Sequence, residues 1–142
     1  MKTDRVAIVI TSWDRKDDLL ECLDSLSALS SPPGAIIVVD NGSTDGSVRA
    51  IADRFPAVSV IASPVNLGFA GGNNLGIEKA REEGYEFICL LNNDTVCPDG
   101  FLDPLLRAAK DFPRTAIFGP RILYHRRPEI IWSEGIAVRP WS

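Results

Sequence analysis

The sequence predicts an α/β fold: a mainly parallel sheet with helices on both faces. Three observations predict it. Short apolar, β-rich runs alternate with stretches whose apolar residues recur at helical spacing, in the order strand, helix, four times over, and then a further strand. Runs such as Phe87-Ile88-Cys89-Leu90-Leu91 are continuously apolar, as expected of strands buried on both faces of a parallel sheet. Each of the first four runs also stops abruptly in a polar loop, and open α/β sheets bind ligands at that C-terminal edge.

Taken in order, Val6 to Ile10 is the first strand and ends in Thr11-Ser12-Trp13-Asp14. Leu19, Leu20, Leu23 and Leu26 make residues 17 to 29 an amphipathic helix, with Asp18 and Glu21 spaced as a capping box and Ser30-Ser31-Pro32-Pro33-Gly34 as its stop. Residues 35 to 39 form the second strand, followed by the loop Asp40-Asn41-Gly42-Ser43-Thr44-Asp45-Gly46-Ser47 and a helix over 48 to 55, with Asp45 as its cap. Residues 58 to 62 give a third strand. A loop rich in glycine and asparagine, residues 66 to 74, then opens a helix running to about Glu83, with Gly84 as its stop. Residues 87 to 91 are the fourth strand and residues 98 to 111 a helix carrying Phe101, Leu102, Leu105 and Leu106 on one face. Ala116-Ile117-Phe118-Gly119 reads as a fifth strand, with short strands at 122 to 124 and 130 to 132.

With 142 residues and no linker, repeat or low-complexity stretch, one domain spanning 1 to 142 is expected. A net charge of −4 speaks against a nucleic-acid partner held by a basic surface. No apolar run reaches the length of a membrane span, and Met1-Lys2-Thr3-Asp4-Arg5 leads directly into a strand without a secretory segment. Three cysteines without a Cys-x-x-Cys pair argue for a reduced, cytoplasmic protein and against a zinc site; Cys22 and Cys89 read as core and Cys97 as loop.

In a parallel sheet the four polar loops share one edge, so Thr11, Asp40, Asn66 and Asp94 should converge on one cleft. Asp40 can accept a hydrogen bond from a base N–H or a ribose hydroxyl. Gly68, Gly71 and Gly72 allow close backbone approach, and the helix start that follows favours negative charge. Asp94, on the turn Asn92-Asn93-Asp94-Thr95, supplies the hard oxygen chemistry that suits Mg²⁺ or Mn²⁺ bound together with a diphosphate. Plainer roles compete. Asn66 and Asn73 cap helices well, Trp13 packs more often than it stacks on a base, and Arg121, His125, Arg126 and Arg127 read as a solvated loop.

The segment Val38-Val39-Asp40-Asn41-Gly42-Ser43-Thr44-Asp45-Gly46 resembles the nucleotide-binding segment of family 2 glycosyltransferases of the GT-A fold, a Rossmann-like architecture. Asn66-Leu67-Gly68-Phe69-Ala70-Gly71-Gly72-Asn73-Asn74-Leu75-Gly76 resembles the next motif, in its rhamnosyltransferase-like form, and Leu90-Leu91-Asn92-Asn93-Asp94-Thr95 resembles that branch's Asp-x-Asp metal motif. The likeness covers about residues 5 to 135. It implies an inverting, metal-assisted transfer of a sugar from a uridine or deoxythymidine diphosphate donor to a hydroxyl of a glycan or lipid-linked acceptor, in cell-envelope polysaccharide biosynthesis. It implies donor contacts from Thr11, Asp40, Asn66, Gly68, Asn73 and Asn93, and a divalent cation, Mg²⁺ or Mn²⁺, on Asp94 with Asn92. A cytoplasmic enzyme peripheral to the inner face of the membrane fits that chemistry.

The sequence departs from the family pattern at Asn92, where a carboxylate is usual, and at Asp14, whose charge would oppose a diphosphate unless it is paired or turned away. No catalytic base is legible: Glu129 and Glu134 lie before the expected segment. The chain is therefore expected to stop short of an acceptor-binding half, leaving apolar surface near Ile130, Ile131, Trp132 and Trp141 that favours self-association. The alternative is a nucleotide-binding module without catalysis. A dinucleotide oxidoreductase is disfavoured, because the first strand leads into Thr11-Ser12-Trp13-Asp14-Arg15 rather than Gly-x-Gly-x-x-Gly.

Overall fold

The computed structural model describes residues 2 to 134. After a single 3-10 turn at Thr3–Arg5 come β1 (Val6–Ser12), α1 (Lys16–Ser27), β2 (Ala35–Asp40), α2 (Ser47–Arg54), β3 (Ser59–Ala62), α3 (Gly68–Glu82) and β4 (Phe87–Asn92). These belong to one compact unit, residues 2 to 100; residues 101 to 134 belong to a second, with α4 (Leu102–Asp111), β5 (Ile122–Tyr124) and β6 (Arg127–Ser133).

The four strands of the first unit are all parallel, in the order β3-β2-β1-β4. Right-handed crossovers explain the layering. The path from β1 to β2 to β3 moves one way across the sheet and the path to β4 moves back, so α1 and α2 lie on one face and α3 on the other. Alternation along β1 serves both layers. Ala7 and Val9 face α3, in a buried cluster with Ile37 and Ala80, while Ile8 and Ile10 are buried on the opposite face, as are Leu19, Leu23 and Leu26 of α1 and Ile51 of α2. Each such side chain removed from water contributes about 1.5–3 kcal/mol, so the central strand is the best-anchored element. The strand order reverses at β1, which places a crevice between strand ends there.

Several expectations change. The glycine-rich stretch is not a loop up to Asn74: α3 already begins at Gly68. Its small residues let the helix lie close on the sheet, since a Cβ at Gly76 would stand 2.3 Å from Val9 Cγ1 and one at Gly72 would stand 2.4 Å from Thr11 Cγ2. β4 is not buried on both faces; among the described residues its one strand neighbour is β1, and Leu90 is 48% exposed. Residues 116 to 119 form no strand, and Ile117 is 88% exposed. Pro113 and Pro120 bracket that run and remove donors a ladder would use. The fourth helix starts at Leu102 rather than Pro98, because Gly100 at φ 73° breaks the helical path. α1 starts at Lys16, so Asp18 lies within its first turn and accepts a hydrogen bond from Arg15 Nε at 2.5 Å instead of capping the helix. Cys97 lies in a loop as expected and is buried there, whereas Cys89, read as core, is only partly buried.

The second unit holds an antiparallel hairpin of β5 and β6, with Leu123, Tyr124, Ile131 and Trp132 exposed. Arg121 pairs with Glu134 at 3.2 Å and Arg127 with Glu129 at 3.3 Å, so carboxylates offset part of the basic group seen in the sequence. Trp141 lies outside the described residues.

Candidate functional site

The parallel register brings the strand ends together: Ser12 is level with Asp40, Asp40 with Ala62, and Thr11 with Asn92. Asp40 is 3% exposed. Its Oδ2 accepts a hydrogen bond from Ser43 N at 3.0 Å, while Oδ1 is buried without a partner. An unpartnered carboxylate oxygen is costly to bury, so it marks a place where a donor from a ligand would be favourable. The hydroxyl of Thr11 is also buried and unpartnered. It faces α3 beneath Gly72, whereas Asp40 is level with Ser12 and so points to the other face of the sheet. The two residues share an edge, not a face.

Asn41, which sequence reasoning passed over as a turn residue, joins the strand ends to α3. Its backbone N–H donates to Ser12 O at 2.8 Å. Its side chain donates to Asn66 Oδ1 at 3.2 Å and Gly68 O at 3.0 Å, and accepts from Leu67 N at 3.2 Å. Asn66 in turn accepts from Gly68 N at 2.8 Å, a local turn bond to the first residue of α3 made from one position before the N-cap Leu67. Gly68 needs to be glycine, since its φ is 72°. Open space surrounds it, and the first turn of α3 presents the N–H groups that any helix leaves over. Asn73 is buried and donates back to Phe69 O at 2.8 Å, a bond within the helix. The only signal that could have found Asn41 was its place beside Asp40 at a strand end.

On β4 and its turn, Asn92 and Asp94 are exposed, whereas Asn93 is tied down by a 2.9 Å bond to Ser12 Oγ. Among the described residues no group of three or more His, Cys, Asp or Glu side chains is arranged to hold a metal ion. The donors at hand, one carboxylate and one amide oxygen, are hard. They fit Mg²⁺ or Mn²⁺ only when a bound diphosphate supplies further oxygens. Behind this turn Cys22 donates to Asn92 O at 3.9 Å. Burial pushes the Cys22 thiol up to about 12 and those of Cys89 and Cys97 to about 11, so all three are neutral near pH 7 and none is a nucleophile.

The loops after β1 and β2 hold each other. Asp14, in the left-handed region at φ 47°, donates its N–H to Ser43 Oγ at 3.0 Å and accepts from Thr44 N at 2.6 Å and Thr44 Oγ1 at 3.3 Å. Asp45 serves the starts of two helices, accepting from Lys16 N at 2.8 Å and Ser47 N at 3.0 Å, and from the Ser47 hydroxyl. Burial alone would raise its pKa. The bonds from Ser47, the Lys16 backbone N–H and the Lys16 charge together outweigh burial and hold it below the usual carboxylate value. Trp13, beside these loops, is largely exposed.

An open parallel sheet with carboxylates and amides gathered at its C-terminal edge, and a glycine-led helix start beside them, defines an α/β architecture of the GT-A type. The chain belongs to glycosyl transferase family 2, whose sequence profile matches residues 7–136. An N-acetylglucosaminyl-diphospho-decaprenol L-rhamnosyltransferase of Mycobacterium tuberculosis is 32% identical over 128 residues, which is 84% of this chain and 42% of the relative. Galactofuranosyltransferase GlfT1 of the same organism is 35% identical over 113 residues, 78% of this chain and 37% of the relative. The chain thus spans about two fifths of the length of these relatives. Among solved structures, residues 1–349 of TarS from S. aureus superpose with a TM-score of 0.66 at 19% identity over 80% of this chain and 33% of that one. The mannosyltransferase PcManGT from Pyrobaculum calidifontis, in complex with GDP-Man and Mn²⁺, gives 0.61 at 25% identity over 76% and 32%.

Proposed function

We propose that residues 1 to 142 are a single donor-binding domain of a glycosyltransferase that moves a sugar, with inversion, from a nucleoside diphosphate to an acceptor hydroxyl. The observation that carries this reading is the unpartnered, buried Oδ1 of Asp40 at the crevice beside β1. A pyrimidine N–H or a ribose hydroxyl is the donor it lacks. The diphosphate lies toward the start of α3, where Gly68 leaves room and the helix terminus favours negative charge. Thr11, Asn66 and Asn73 shape that wall from behind, and Asn93 fixes the turn from which Asp94 and Asn92 reach the cation. A bound divalent ion supplies charge neutralisation of the diphosphate leaving group. The complex of PcManGT with GDP-Man and Mn²⁺ supports a sugar nucleotide and metal of this kind. Kinship with an N-acetylglucosaminyl-diphospho-decaprenol L-rhamnosyltransferase supports an acceptor carried on a polyprenyl diphosphate, and hence work at a membrane surface.

Isothermal titration with UDP and with dTDP, in Mn²⁺, tests the reading. Asp40→Ala removes a hydrogen bond to a charged acceptor, about 1.5–3 kcal/mol, so affinity falls roughly tenfold or more. Unchanged affinity in a folded Asp40→Ala protein rules the assignment out.

A further inference from the structure

We propose that Asp14 is a positioning residue for nucleotide binding: it sets the conformation of the turn that holds Asp40. This rests on the donor-site reading above. Three bonds form a chain from one residue to the other. Asp40 Oδ2 is held by Ser43 N, the Ser43 hydroxyl accepts from Asp14 N, and the neighbouring Thr44 N–H ends on Asp14 Oδ1. The carboxylate that looked like an unfavourable charge in the sequence is thus consumed by two groups of the β2–α2 loop. Its backbone is specialised for this. At φ 47° the N–H and the carboxylate of Asp14 both address the 43–44 turn, a conformation that Asp adopts more readily than most side chains. With Oδ2 engaged through Ser43, the carboxylate of Asp40 is fixed, and the free Oδ1 is oriented before any ligand arrives. Preorganisation of this kind raises affinity by removing an ordering cost from the binding step.

Asp14 is not what keeps the two loops together. Asp45 bridges the starts of α1 and α2 independently, through Lys16 and Ser47. Removing the Asp14 side chain should therefore free the turn locally and leave the fold in place, so an effect on binding is separable from an effect on stability.

The test is a double-mutant cycle in binding. Wild type, Asp14→Gly, Asp14→Asn, Asp40→Ala and the Asp14→Gly/Asp40→Ala double variant are titrated with UDP and with dTDP in Mn²⁺, and the tighter of the two nucleotides is carried through the cycle. Glycine accepts the positive φ, so Asp14→Gly isolates the loss of the carboxylate. The expected results are about fivefold weaker binding for Asp14→Gly and near wild-type binding for Asp14→Asn, whose amide oxygen still accepts from Thr44. In the Asp40→Ala background Asp14→Gly should have no further effect, because the two positions act through one contact. A purely structural role predicts additive losses instead. Ser43→Ala removes the partner of the Asp14 N–H from the opposite loop. It should weaken binding in the same direction, and it replaces Asp14→Gly in the cycle if that variant does not fold. Wild-type affinity in both Asp14→Gly and Ser43→Ala, or additive losses in the double variant, overturns the inference while leaving the role of Asp40 intact. Failure of the wild type to bind either nucleotide overturns the donor-site reading and this inference together.

Discussion

Two glycines in α3 look alike in the sequence and should respond to different degrees to the same substitution. A Cβ at Gly76 would lie 2.3 Å from Val9 Cγ1, 3.3 Å from Val9 Cβ and 3.2 Å from Val39 Cγ2. Both valines are fully buried and β-branched, with little room to rotate away. Overpacking a filled core costs about 1–3 kcal/mol, and a contact this short belongs at the upper end. Against it, alanine gains about 1 kcal/mol over glycine inside a helix. Gly76→Ala should therefore destabilise by about 2 kcal/mol. A Cβ at Gly71 meets only Leu67, whose Cβ stands 2.8 Å away and moves only with its backbone; Leu67 is the half-exposed N-cap of α3, where a small shift is less costly than in the core. There the strain and the helix-propensity gain of about 1 kcal/mol roughly offset each other, and Gly71→Ala should be near neutral. Because both changes have the same intrinsic propensity effect, the difference between the variants isolates packing, about 2 kcal/mol by this reckoning. Urea unfolding followed by circular dichroism measures it. With a slope of about 1–3 kcal/mol per molar, the two midpoints should differ by roughly 1 M. Equal midpoints would mean that α3 does not rest on β1 as described, and that the closed-in position of Thr11 beneath Gly72 is wrong as well.

Asp94→Ala should abolish the tightening of Mn²⁺ binding that a nucleoside diphosphate produces, while Mn²⁺ alone binds weakly to both proteins; manganese relaxation titrations showing equal affinities with nucleotide present would reject Asp94 as a ligand. Asp45 has a depressed pKa in the folded protein, so its stabilisation is present above the unfolded value of about 3.9 and is lost as pH falls through the folded value. Thermal unfolding of Asp45→Asn should accordingly show a deficit at pH 7 that closes below about pH 4, and a deficit that does not change with pH would assign the effect to something other than the charge.

What the sequence made legible follows from what local patterns encode. Apolar runs with abrupt polar ends located all four strands of the first unit to within two residues, and Asp40 stood out because a carboxylate there ends a buried strand. Asn41 did not, because its role depends on Leu67 and Gly68, which reach it only through the fold. Asp14 and Asp45 were legible in part: a paired Asp14 and a helix-start role for Asp45 were expected, but the bonds Asp14–Thr44 and Asp45–Lys16 join loops that only the fold brings together. That Gly72 and Gly76 lie against the sheet was not legible, because close approach to a ligand and close approach to a sheet call for the same residue. β4 was taken as fully buried because an apolar run records its own composition and not how many strands lie beside it. Residues 116 to 119 had the composition of a strand but sit between prolines, which limit pairing whatever the side chains prefer.

The position of β1 in the sheet bears on the order in which the protein is made. β1 leaves the ribosome before the other three strands, yet one of its two neighbours, β4, is the last strand of the four to be synthesised. The segment from β1 to β3 can pair consecutively as it emerges, while one side of β1 waits for a strand separated from it by two further strands and three helices. Closing that long-range pairing is the slow kind of step. The turn bearing Asp94 follows β4 directly, so the two halves of the crevice meet only once the sheet is complete. Capture of a nucleotide diphosphate together with Mn²⁺ would then report the finished sheet during refolding, where a spectroscopic signal from the helices would already respond to a partly built one.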